Sequence, residues 1–288
     1  MIDNLPLHSN TKKQLKNIAL QPGHAYLFHG PDSSGKKAAA LSLAAQLAAG
    51  KTSPAAIKLI AAGKHEHVSF VSPQDGKGIK ISQIKELIHD LSMKAFESDL
   101  PRFIIVDEAQ SMSTEAGNAC LKILEEPPEG TIIFLLASSP SQILPTITSR
   151  TFAVAFLPVK KSELKKYLTG MGIEEGRAAD IIELSDGRPG LARQIALDET
   201  SYQKYTAIDG LASNFLDGTL TTRFKIAQTV ATTTEIGLFL ASIMKKIRHS
   251  FLGTSEGEGR LRKIFAAERY LKHNLNPRLV IEYLALEI

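Results

Sequence analysis

Cysteine is nearly missing from this chain of 288 residues, which has only Cys120. A lone thiol cannot close an intramolecular disulfide or, by itself, build a cysteine-rich metal site. This fits a reducing compartment, the cytoplasm being the simplest. Tryptophan is absent and aromatics make up 6% of the residues, so no platform of aromatic and basic side chains for stacking single-stranded bases stands out. Long apolar runs are lacking too. The most apolar stretch, "TIIFLLA" from Thr131, is far too short to span a bilayer, and the opening "MIDNLPLHSNTKKQLKNIALQPG" has no signal-peptide core. A soluble protein without membrane partners is expected. Charge of one sign is scarce as well: 34 Lys and Arg face 30 Asp and Glu, a net +4. The pI near 9.0 permits an acidic partner such as nucleic acid without demanding one. There is no internal repeat and no low-complexity tract.

What is present organises itself in two halves, and the length leads us to expect two or three domains. In the first half, short apolar runs alternate with helical patterns. "HAYLFHG" reads as a strand entering a glycine turn, followed by an alanine-rich helix "KKAAALSLAAQLAAG" ended by Gly50. "ISQIKELIHDLSMKAF" places Ile81, Ile84, Leu87 and Ile88 on one helix face. "RFIIVDEAQ" and "TIIFLLASS" read as buried strands around a helix "EAGNACLKILEE" that ends at Pro127 and Pro128. Nearly all-apolar strands alternating with helices predict an α/β fold with a parallel sheet covered on both faces. "TFAVAFLP" looks like the last strand. Beyond about Leu157 the strand signal fades into three short helical segments, and from about Ser201 into longer helices with a break near the threonine run. "GTSEGEGR", Gly253 to Arg260, reads as a solvated loop.

The chemistry centres on "HGPDSSGKK". Gly30, Gly35 and Lys36 fit G-x-x-x-x-G-K between a strand and a helix, where backbone N–H groups (that of Ser34 among them), the helix N-terminus and the lysine would cradle phosphates. The next position normally supplies a hydroxyl to Mg²⁺, and here it is Lys37, which cannot coordinate a cation. Two unit charges about 4 Å apart repel by roughly 4 kcal/mol at an effective dielectric near 20, so tight Mg–ATP binding is not expected. A loop kept only as packing stands slightly ahead of a competent one. Asp107 and Glu108 end an apolar strand, where one carboxylate would hold the metal and the other polarise water. Ser138 and Ser139 follow the next strand, placed either to sense a terminal phosphate or simply to make a turn. "ILPTITSR" ends in Ser149 and Arg150, and the arginine either stays on its own surface or reaches a neighbour's phosphate. Cys120, inside an apolar helix with no histidine near in sequence, reads as a core residue. Lys245 to His249, "KKIRH", reads as a solvated helix end more readily than as a DNA contact.

Together, "HAYLFHGPDSSGKK", "VDEAQSMSTEAGNACLKILEEPPEGTIIFLLAS" and "LPTITSR" resemble the AAA+ subunits of DNA sliding-clamp loaders. The eroded phosphate loop and the closing "NLNPRLVIEYLALEI" are more similar to the delta-prime type of bacterial DNA polymerase III than to its ATP-hydrolysing gamma and tau relatives. The resemblance implies an AAA+ domain over residues 1–157, a three-helix lid over 158–200, and a C-terminal helical collar domain over 201–288. It implies partners of gamma/tau and delta type in a pentameric complex that places a sliding clamp on primed DNA. Arg150 would act there as a trans arginine finger beside Ser149. These two match the start of the family's Ser-Arg-Cys motif, with Thr151 in place of the cysteine.

Two departures from the family pattern matter. The four-cysteine zinc module of relatives has no counterpart in "AAGKTSPAAIKLIAAGKHEH". His65 and His67 could recruit a metal only through a third ligand; they read there as solvated loop residues, and no zinc is expected. In "SDGRPGLA", Gly190 stands where the family's ATPases carry a sensing arginine, and Arg188 falls short of it. No cofactor is expected to be required, with ATP binding weak or absent. The competing readings are a self-sufficient AAA+ ATPase using Lys36, Asp107 and Glu108, and, last, a small-molecule phosphotransferase.

Overall fold

The computed structural model describes residues 2–49, 51–74, 78–93, 100–251, 254–273 and 275–288. Gly50, Gly253 and the Lys94–Phe96 end of the helix expected after Ile81 lie outside them. In chain order the elements begin α1 (Ser9–Leu20), β1 (Ala25–His29), α2 (Lys36–Ala48), α3 (Pro54–Ala61), β2 (Val68–Val71), α4 (Ile81–Met93) and β3 (Arg102–Val106). Then come α5 (Thr114–Glu125), β4 (Thr131–Ala137), α6 (Pro145–Thr148) and β5 (Phe152–Ala155).

The strands form one sheet in the order β2-β3-β4-β1-β5, and every pairing is parallel. The apolar runs explain this arrangement. All seven residues of β4 are buried, and alternate residues point to opposite faces. Ile132, Phe134 and Leu136 meet Phe103 and Ile105 of β3 under α1, α2 and α3. Ile133, Leu135 and Ala137 meet Ile104 and Val106 under α4, α5 and α6. The alanines of α2, with Ala39, Ala40 and Ala44 fully covered, let that helix lie close against the sheet. Phe134 stacks on Tyr26 and packs against Phe28, so its truncation to alanine is expected to cost about 3–5 kcal/mol. β5 lies at the edge, with Phe152 exposed.

The rest is helical: α7 (Lys161–Gly170), α8 (Glu175–Ser185), α9 (Pro189–Leu197), α10 (Glu199–Asp217), α11 (Leu220–Ala231), α12 (Ile236–Phe251), α13 (Ser255–Lys272) and α14 (Pro277–Glu287). By internal contacts the chain forms two compact units, Met1–Ala178 with Gly187–Arg193, and Ala179–Asp186 with Gln194–Ile288. The second has its own core, in which Phe215, Phe239, Ile243, Ile264, Ile281 and Leu284 pack together. The break expected at the threonine run separates α11 from α12. Among the described residues no helix is long and apolar enough to cross a membrane.

Three local expectations need correction. The stretch from Ser255 to Arg260 is the first turns of α13, not a loop. Thr254 caps the helix by accepting from the Gly257 N–H at 3.1 Å, and Glu256 and Glu258 favour the positive end of its dipole. A side chain at Gly257 would strike the Phe251 carbonyl, so this glycine serves close packing. Lys245 is no solvated helix end: it is buried, its ammonium 2.7 Å from Asp209 Oδ1, and Lys246 lies 2.7 Å from Oδ2. His67 is buried as well, its Nδ1 3.3 Å from the Pro101 carbonyl.

Candidate functional site

A cleft of about 260 Å³ opens at the carboxyl ends of the strands, slightly below the roughly 300–1,000 Å³ of typical ligand pockets. It is lined by Asp32 to Lys37, Asp107, Glu108, Gln110, Ser138 and Gly190. The loop after β1 is pinned at its start by the Gly30 N–H donating to the Ala137 carbonyl of β4 at 3.1 Å. It turns into α2 through Gly35, whose φ of 93° is left-handed. Lys36 Nζ donates to the carbonyls of Gly30 at 2.6 Å and Pro31 at 2.9 Å. Burial lowers its pKa, opposed by Asp32 and Asp107. Burial also lowers the pKa of His29, with Lys36 adding to the effect.

The carboxylates arrive from β3. The Asp107 N–H donates to the Val71 carbonyl at 2.8 Å, and Glu108 adopts a left-handed φ of 50°. The Glu108 N–H donates back to Asp107 Oδ1 at 3.1 Å. Lys37 turns inward over this pair, its Nζ 3.6 Å from Asp107 Oδ2 and 4.9 Å from the centre of the Phe70 ring. The protein thus puts its own ammonium beside the carboxylate that would face a metal.

Tested against a Mg²⁺-bound nucleotide, the residues fit only in part. The phosphate half of the cradle suits an anion: α2 points its N-terminus at it, and the buried Ser34 hydroxyl has no hydrogen-bond partner among the described residues. The metal half does not fit, because Lys37 offers no lone pair and already occupies the side of Asp107.

Two residues complete the cleft in ways the sequence reading did not reach. Gln110 bridges to the end of β4: its Nε2 donates to Ser138 Oγ at 3.2 Å and its Oε1 accepts from the Ser138 N–H at 3.3 Å. Ser138 Oγ also lies 3.4 Å from Asp32 Oδ1. The only sequence signal for Gln110 was its place three residues after Asp107. Gly190, expected as the missing sensor, closes onto the loop instead. Its N–H donates to the Ser33 carbonyl at 2.7 Å, and an added Cβ would sit 2.7 Å from that oxygen.

Ser149 and Arg150 are not part of this cleft. They follow α6, with Ser149 Oγ donating to the Thr146 carbonyl at 3.1 Å. Arg150 Nη1 donates to the same carbonyl at 3.1 Å and lies 3.4 Å from Ser149 Oγ. Its Nη2 is 2.8 Å from Glu125 Oε1 at the end of α5. Arg150 and Phe152 border a separate groove of about 430 Å³ that also takes in Gln14, His24 and Tyr26. The predicted residues therefore fall in two places, one around Lys36 and one at Arg150.

The chain as a whole is similar to known proteins. The family described as "DNA polymerase III, delta subunit" matches residues 7–160. The chain is 29% identical over 327 aligned positions to the DNA polymerase III subunit delta' of Pseudomonas aeruginosa, covering 100% of this chain and 98% of that one. It is 35% identical over 151 positions to the subunit delta' of Bacillus subtilis, covering 50% of this chain and 45% of the relative. Among solved structures, a DNA polymerase III gamma subunit-related protein of Thermotoga maritima shares the fold. Its TM-score is 0.58 at 19% identity, over 96% of this chain and 98% of that one.

Proposed function

We infer the function from one premise: the chain belongs to the DNA polymerase III delta subunit family, and within it is a delta-prime-like clamp-loader subunit. It works in the cytoplasm as part of a five-subunit assembly with gamma/tau-type and delta-type partners, and helps place a sliding clamp on primed DNA. ATP hydrolysis belongs to the partners, and this chain contributes Arg150 in trans to ATP on the adjacent subunit. The observation that carries this reading is the contrast between the chain's two sites. The cleft spends Lys37 on its own Asp107, whereas Arg150 stands half-exposed outside that cleft, at an edge of the sheet. Such a finger is worth roughly 10³–10⁵ in rate at the phosphoryl group it serves.

The C-terminal helices support the collar role. Leu279, Tyr283 and Leu286 of α14 are 63%, 46% and 61% exposed and share one face at i, i+4 and i+7. Val280, Ile281, Leu284 and Ala285 on the opposite face fill the core. An apolar stripe on a helix already anchored from behind is what an oligomeric neighbour would cover.

The test is reconstitution of the loader with Arg150→Ala. Assembly should be intact, while DNA-stimulated ATP turnover falls and clamp loading drops by about ten-fold or more. Unchanged loading would sink the proposal. In parallel, the isolated chain should bind a fluorescent ATP analogue weakly or not at all, with or without Mg²⁺. Tight Mg²⁺-dependent binding would revive the self-sufficient ATPase.

A further inference from the structure

The arginine assigned above to a neighbour's phosphate is already engaged, and its partner is the last residue of α5, within the "LEEPP" block. Arg150 Nη2 lies 2.8 Å from Glu125 Oε1, with the two side chains 40% and 49% exposed. The carbonyl of Thr146 holds Nη1 at 3.1 Å, and the negative end of α5 adds to the attraction. Resting on the trans-finger reading, we propose that Glu125 is a holding residue: it competes with the neighbour's phosphate for Arg150 and so sets how readily the finger is delivered.

Competition follows from the charges. A phosphate anion and the Glu125 carboxylate sharing one half-exposed guanidinium would lie within about 5 Å of each other. Their repulsion at an effective dielectric near 20 is worth roughly a hundred-fold or more in an equilibrium constant. The exposed ion pair itself holds by a factor of only about five at most. The pair therefore opens when the phosphate arrives, since a finger contributes far more than the pair does. While closed, it keeps only a fraction of the chains competent, and the apparent affinity of the finger for its target is reduced by that fraction. The contact is exposed, so salt weakens it.

The experiment uses the reconstituted loader carrying wild-type chain, Glu125→Gln, Arg150→Ala or both, assayed for DNA-stimulated ATP turnover at low and high salt. Glu126→Gln, a neighbouring carboxylate without an ion pair to Arg150 among the described residues, is the charge control. Glu125→Gln should lower the KM for ATP about two- to five-fold at low salt with kcat held. The advantage should shrink at high salt and vanish in the Arg150→Ala background, while Glu126→Gln stays at the wild-type value. A Glu125→Gln loader with unchanged or higher KM, or the same shift without Arg150, overturns the holding role. If Arg150→Ala has its effect while Glu125→Gln has none, only this inference fails. If Arg150→Ala has no effect, the finger reading fails and takes this inference with it.

Discussion

Each unit of the molecule sets two consecutive lysines near one aspartate, and the two arrangements differ sharply. In the helical unit, Lys245 and Lys246 each approach an oxygen of Asp209 at 2.7 Å, Ser242 Oγ donates to it at 2.7 Å, and Lys245 also donates to the Glu183 carbonyl. Every polar group there has a partner, and Lys245 is only 8% exposed. In the sheet unit, Lys36 turns away onto loop carbonyls and only Lys37 reaches Asp107, at 3.6 Å and half in solvent. The first cluster is largely buried, with both carboxylate oxygens of its aspartate bonded. The second is a single longer pair with its lysine half in solvent, which contributes little to stability.

The comparison breaks most visibly at Asp209. Asp209→Ala strands a buried ammonium, and the helical unit is expected to lose about 3 kcal/mol, read as an earlier unfolding transition in urea. A transition unmoved by this change would mean that the two clusters are alike after all. The next largest effect is in acid. Burial would raise the pKa of Asp209, but hydrogen bonds from Lys245, Lys246 and Ser242 outweigh it and pull the pKa to about 2 from the ordinary 3.8. A depressed carboxylate stabilises fully above its unfolded value near 4, and the contribution is lost as pH falls through about 2. It amounts to roughly 2 kcal/mol. Asp209→Asn should flatten stability against pH across that window.

The looser cluster predicts smaller numbers. Lys37→Thr restores a hydroxyl and frees Asp107, so Mg²⁺-dependent binding of a fluorescent ATP analogue should strengthen about ten-fold, equivalent to about 1.4 kcal/mol. Binding still absent in that variant would place the defect elsewhere in the loop. Smallest of all, Lys37→Gln should move the unfolding midpoint by less than about 0.5 kcal/mol, because an exposed pair contributes little. A larger loss would show that Lys37 and Asp107 form a structural pair like the one at Asp209.

How much of this was legible in the sequence depended on how local its cause was. β3 and β4 are continuous apolar runs, and α2 begins where the glycine turn ends, so the sheet and its cradle could be read directly. The start of α13 was misread because its glycine looks like a breaker in isolation and is explained only by the Phe251 carbonyl it packs against. Lys245 looked solvated because its partner lies 36 residues away. The same limit hid Glu125 beside Arg150 and Gln110 beside Ser138: sequence spacing reports what recurs along an element and says little about what two elements bring together. His67 followed the same course, its burial arising from a fold that a polar neighbourhood does not announce.

The backbone contact between Gly190 and Ser33 limits what can stand at residue 190. With a Cβ at residue 190 only 2.7 Å from the Ser33 carbonyl, no larger residue enters without moving the loop crest, where Ser33 itself holds a left-handed φ of 60°. An arginine at residue 190 therefore enters only together with a shift of the loop. The contact works as a latch: while Gly190 holds the Ser33 carbonyl, the crest of the loop stays closed to any side chain at residue 190.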